Sequence, residues 1–181
     1  MAPVIRILIA LIASASTLAM NACDNAGGTS TAGASRPIPG NPPKELITIK
    51  GEDFQLELAN TDALRVQGLS DRTEIDDDGG MIFIFKDADK RDFVMRRCFV
   101  PIDIAFLDPQ GRVTAVHAMT VEPPQREGES DVDYQVRLEK YGSRFDAQFA
   151  LEFKGGTIER IGLKRGDTVN LDLVRLKSLA E

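Results

Sequence analysis

The 181-residue chain has one histidine, two cysteines and no tryptophan. A single His and no close Cys pair leave no recognisable zinc set, which draws three or four such ligands at short spacings. Cys23 and Cys98 allow at most one intrachain disulfide. Positive charge is also short: Lys and Arg total 22 against 28 Asp and Glu, a net charge of −6. That balance argues against a nucleic-acid surface, which needs a basic patch. No internal repeat is visible. Beyond the N-terminus no apolar stretch is long enough to cross a bilayer. Gly79-Gly80 and Gly155-Gly156 are too short and wrongly placed for a phosphate loop.

What is present starts with an export pattern. Met1–Arg6 carries one positive charge, and residues 5–18 are apolar apart from Arg6 and small residues. This has the length of a signal-peptide core and is short for a stable span. Met20-Asn21-Ala22-Cys23 resembles the bacterial lipobox, so residues 1–22 are expected to be a lipoprotein signal peptide and Cys23 the lipidated residue. The alternative is an ordinary signal peptide with Cys23 a free thiol. Residues 23–44 are rich in Gly, Ser, Thr, Ala and Pro and have almost nothing to bury, the composition of a disordered tether. Together these predict an exported protein on the periplasmic side, anchored to a membrane by its N-terminal lipid. Acylation of Cys23 would leave Cys98 without a disulfide partner.

Residues 45–176 then form one domain. Alternation predicts strands at 45–49 and 54–59 joined through Lys50-Gly51-Glu52-Asp53. Asn60 or Thr61 caps a short helix that Gly68 ends. Asp76-Asp77-Asp78 lacks the alternate spacing of a calcium loop and reads as a solvated turn. Met81–Phe85 and Ile102–Leu107 are apolar on both faces, as central strands are. A short extended piece at 93–95 lies between them. Asp108-Pro109-Gln110-Gly111 is a turn into a partner strand at 112–119. Residues 120–133 form a polar loop, 134–140 a weakly helical piece, 147–153 a strand, 157–161 a turn of helix, and 168–174 a last strand. The sum is a mainly β, α+β fold: an antiparallel-rich curled sheet or partly closed barrel with one or two short helices.

The densest chemistry lies in residues 79–113. Asp103 sits between Ile102 and Ile104, where a carboxylate is costly unless paired or hydrogen-bonded. Its expected partners are Arg65, Arg72 or Arg97, or backbone amides of the 97–101 loop. Arg suits recognition of small anions. Arg65, Arg72, Met95, Arg97 and Asp103 are therefore the candidate ligand-binding residues. An alternative puts chemistry on Arg96, Arg97, Cys98 and Asp103. Neighbouring arginines lower a thiol's pKa, and His117 is the one imidazole available as its base.

The chain also resembles a known bacterial and archaeal family, domain of unknown function 192, across about residues 46–174. The resemblance rests on Thr61, Arg65, Gly68 and Leu69, on Gly80-Met81-Ile82-Phe83-Ile84-Phe85, and on the segment Phe93–Ile104. It also rests on the Asp108–Gly111 turn, on Leu151, Glu152 and Gly156, and on Gly166-Asp167. The family's Trp, Asn and Thr in the central segment are Val94, Arg97 and Cys98 here, and Ser70 replaces a Met. The resemblance implies no established activity, cofactor or metal. Three functions stay open: a lipid-anchored module binding a small polar or anionic ligand, a hydrolase or thiol enzyme, or a structural partner in an envelope assembly.

Overall fold

Lys50 and Gly51 have φ of 54° and 87°, the left-handed pair that a two-residue hairpin turn needs. They join β1 (Lys44–Ile49) to β2 (Glu52–Ala59) in antiparallel register, Ile49 opposite Glu52. The computed structural model describes residues 42–181; the expected signal peptide, Cys23 and most of the expected tether lie outside them. Thr61 caps helix α1 (Asp62–Gln67), its hydroxyl accepting from the Leu64 amide at 3.3 Å, and Gly68 closes the helix with φ 50°. This helix belongs to the crossover into β3 (Gly79–Asp89), which runs parallel to β2, as a parallel pair requires. The Asp76–Asp78 turn is exposed, as expected.

The chain then forms β4 (Asp92–Phe93), β5 (Ile102–Leu107) and β6 (Val113–Met119). Helix α2 (Asp131–Arg137) and β7 (Tyr141–Gly142) follow, then β8 (Ala147–Lys154), α3 (Thr157–Ile161) and α4 (Leu173–Ser178). The main sheet has the order β1-β2-β3-β8-β5-β6, and β4 pairs with β7 separately. β8 inserts between β3 and β5, antiparallel to both. Where β3 and β8 slip register after Ile84, Gln148 Nε2 donates to the freed Phe85 and Lys86 carbonyls at 3.3 Å.

Three expectations are corrected. The sheet is open, with β1 and β6 as edges, so of the two expected forms the partly closed barrel is not borne out. The described residues hold four short helices rather than one or two. The strand expected at 168–174 is a single bridge, Thr168 to Arg112, followed by α4. Asp172 accepts from the Arg175 amide at 3.0 Å and starts that helix. Its cap outweighs the weak alternation before it.

Both faces of the central strands are covered. On one face Phe54, Ile82, Leu151 and Phe153 pack with Leu163, Val169 and Leu176 from the α3–α4 region. On the other, Met81, Phe83, Ile104 and Phe106 meet Leu69, Met95, Cys98 and Tyr141. Each fully buried large side chain contributes about 1.5–3 kcal/mol. Period two then decides which face each polar residue of a strand joins.

Candidate functional site

Glu57, Met81, Glu152, Ile104 and His117 are consecutive partners across β2, β3, β8, β5 and β6. They form one row on the Met95–Cys98 side of the sheet. Asp103 is one residue out of phase and points to the opposite side. There its Oδ2 accepts from the Ile158 amide of α3 at 2.8 Å. Asp103 is buried, as expected, but its partner is neither an arginine nor the 97–101 loop. Asp103→Asn is expected to cost under about 1 kcal/mol, because the amide oxygen still accepts. Asp103→Ala strands a buried N–H and should cost roughly 1–3 kcal/mol. Thermal melts of the two variants check this order.

The arginines are each held elsewhere. Arg65 donates to the Asn60, Ile84 and Glu181 carbonyls and to Asp62. Arg72 grips Glu57 with two bonds of 2.8 and 2.6 Å. Arg97 grips Asp71 the same way, at 2.9 and 2.6 Å. Arg97 and Asp71 both have positive φ, 57° and 66°, and the Asp71 amide donates to the Arg97 carbonyl at 2.8 Å. The family's Asn at position 97 is a residue that tolerates this conformation; here an ion pair holds an Arg in it. Met95 is core, 1% exposed. The five candidate residues do not converge on one site.

Polar groups do gather in a cleft of about 700 Å³ between α1, β3, the 90–98 segment and β8. Arg65, Phe85, Arg91, Phe93, Arg96 and Glu152 line it, and so do Ser70, Val94 and Cys98. Of the five candidates only Arg65 is among its lining residues. Three of the four departures from the family pattern, at 70, 94 and 98, are. Phe85 lies under two guanidiniums, Arg91 at 4.2 Å and Arg65 at 5.7 Å from its ring centre. Phe93 packs edge-on against Phe83, Phe85 and Phe106.

Among the described residues, three buried side-chain polar atoms have no hydrogen-bond partner: Arg91 Nε, Arg96 Nε and Glu152 Oε2. All three belong to lining residues of this cleft. Glu152 is 6% exposed. Burial pushes its carboxyl up to about 8, against the opposing pull of the Leu69 amide and Arg72. Its Oε2 lies behind Gly68, 3.7 Å from where a Cβ there would stand. The sequence held the signal for Glu152, a carboxylate between Leu151 and Phe153 in an apolar strand. It is the signal that singled out Asp103.

Cys98 and His117 do not meet as thiol and base. Burial, with Glu152 and Asp71 adding to it, pushes the Cys98 thiol up to about 12, and its sulfur contacts the Arg96 carbonyl at 3.6 Å. Arg96 and Arg97 do not make it a thiolate. His117 Nε2 lies 2.8 Å from the Gly142 carbonyl, and its ring packs against Phe106 and Tyr141. The described residues hold no group of three His, Cys, Asp or Glu side chains placed to bind a metal ion.

Two crystal structures resemble this fold. One is a protein of unknown function from Novosphingobium aromaticivorans DSM 12444, at 30% identity and TM-score 0.59, covering 80% of this chain and 100% of that one. The other is a "putative transcription regulator" from Sinorhizobium meliloti 1021, at 29% identity and TM-score 0.54, covering 69% of this chain and 88% of that one. No curated protein matches. The family described as "Uncharacterized ACR" matches residues 45–171, most of the described residues. The chain belongs to that family, domain of unknown function 192.

Proposed function

We propose that this chain is a lipid-anchored extracytoplasmic module that binds a small polar ligand in the cleft between α1 and the 90–98 segment. One observation carries the binding half: the three unpartnered buried polar atoms all belong to residues of that cleft. Native proteins rarely leave such atoms unpaired, and each costs roughly 1–3 kcal/mol. A ligand that pairs with them recovers that cost on binding. The anchoring half is supported by the apolar run at 5–18, the lipobox-like Met20–Cys23 and the Gly/Ser/Pro-rich tether. The regulator description belongs to the Sinorhizobium protein; the net charge of −6 on this chain disfavours DNA as its ligand.

Native mass spectrometry of the full chain purified from expressing cells tests both halves. The expected result is a co-purifying small molecule and an acylated Cys23 at the mature N-terminus. Val94→Trp, which fills the cleft with the family's own side chain, should lose the small molecule while the acyl mass stays. A chain that carries nothing, or carries the same molecule with Trp at 94, sinks the binding reading. An unmodified Cys23 in a host with lipoprotein machinery sinks the anchoring one.

A further inference from the structure

The chemistry of the unpartnered atoms narrows the ligand, on the assumption that the cleft is a binding site. Arg91 Nε and Arg96 Nε are donors only. Glu152, its carboxyl pushed up to about 8, carries a proton at neutral pH and adds an O–H donor. What is missing is therefore an acceptor. The arginines differ in how far they are committed. Arg65, Arg72 and Arg97 are bound through carbonyls or two-bond ion pairs. Arg96 has only a 3.6 Å contact to Asp131, and Asp131 is 76% exposed. Arg91 uses Nη2 alone, donating to the Asp87 carboxylate and to the Asp87 carbonyl at 2.9 Å, on a residue 74% exposed, and leaves Nη1 and Nε uncommitted. Both side chains are partly open, at 21% for Arg91 and 30% for Arg96, though their Nε atoms are buried, so pairing with an incoming group requires each to turn. The cleft also offers half-buried apolar surface on Phe85, Phe93 and Val94.

We infer that the cleft selects a small organic carboxylate. Its headgroup accepts from Arg91, Arg96 and Glu152, and its apolar body lies against Phe93 and Val94. A carboxylate is acceptor-only and planar, which matches guanidinium donors. An organic amine meets two guanidiniums there, and the other carboxylates on the lining, Asp62 and Asp92, are exposed to water, with Asp62 already held by Arg65.

Three probes of one shape separate the classes: benzoate, benzamide and benzylamine, each titrated into the full chain at pH 6.5 and followed by NMR. Benzoate should bind saturably, with intermolecular NOEs to the Phe93 ring. Benzamide should bind at least tenfold more weakly, and benzylamine more weakly still. Arg96→Gln should weaken benzoate at least tenfold and leave benzamide within threefold. The NOEs come from the unsubstituted chain, so the test holds even if Arg96→Gln fails to fold. Benzylamine binding as tightly as benzoate, or benzoate binding with no contact to Phe93, overturns the inference. A cationic or uncharged molecule recovered from cells and lost in Val94→Trp overturns the inference while the binding reading stands. If no probe binds and nothing is recovered, both fall.

Discussion

Gly80→Ala is expected to cost this domain a large share of its stability. Gly80 has a φ of 150°, a backbone conformation that L side chains rarely adopt. A Cβ built there stands 2.1 Å from the Glu152 carbonyl oxygen and 3.0 Å from Leu56 Cδ2. Leu56 can give by a few tenths of an ångström. The carbonyl cannot, because it belongs to the backbone of β8 where Gly80 pairs with Phe153. Overpacking of about 1–3 kcal/mol adds to backbone strain of similar size, on the order of 4 kcal/mol together. Most domains have only about 5–15 kcal/mol in total. A fall in melting temperature of roughly 10 °C or complete failure to fold is expected. Gly51→Ala is the control: its φ is 87° with nothing within 4 Å of the new Cβ, so it carries strain without a clash. It should cost only about 1 kcal/mol. If both variants melt within a few degrees of the parent, β3 and β8 do not approach as closely as described. Gly80 also fixes the height of Glu152 in the cleft, because the two backbones touch.

How much of this was legible in the sequence varies with range. The hairpin, the cap at Thr61, the stop at Gly68 and the doubly apolar β3 and β5 were legible because their causes lie within a few residues. The insertion of β8 between β3 and β5 had no local signal; it is a pairing between segments more than 40 residues apart on either side. That insertion decides which arginines can meet which carboxylates. Asp103 was legible as buried, but its face was not. Period two sends it toward α3, away from all three proposed partners. Glu57 stands at the polar position of an alternating stretch, Leu56-Glu57-Leu58, where solvent exposure is the ordinary outcome. It is buried instead, because the loop after α1 brings Arg72 over it. The site was missed for a related reason. Its unpaired atoms come from the link between β3 and β4, the turn after β4 and a central strand, and only the insertion of β8 beside β3 sets them around one cleft.

Glu152→Gln is expected to stabilise the protein by an amount that grows with pH. The Glu152 carboxyl is ordinarily half-ionised near 4.5, and burial in the fold raises this to about 8. Between those values the unfolded chain has lost the proton that the folded chain keeps. Folding must then take up a proton, so stability falls as pH rises. The favourable contribution is complete below about pH 4.5, declines at about 1.4 kcal/mol per pH unit, and levels off above about 8. Gln keeps the shape and the neutral charge without titrating. At pH 7 the variant should gain on the order of 3 kcal/mol. Urea midpoints for both proteins at pH 5, 7 and 9 check this, because every other titrating group cancels in the difference. Parallel curves would show that Glu152 is not the protonated group described. A one-atom change that adds this much stability marks a carboxyl kept at a cost to the fold. Such costs concentrate where a side chain serves something other than stability. In this domain that place is the cleft, and the same Gln variant separates the two roles. It keeps a donor for a bound carboxylate while removing the penalty, so its stability gain should persist whether or not benzoate is present.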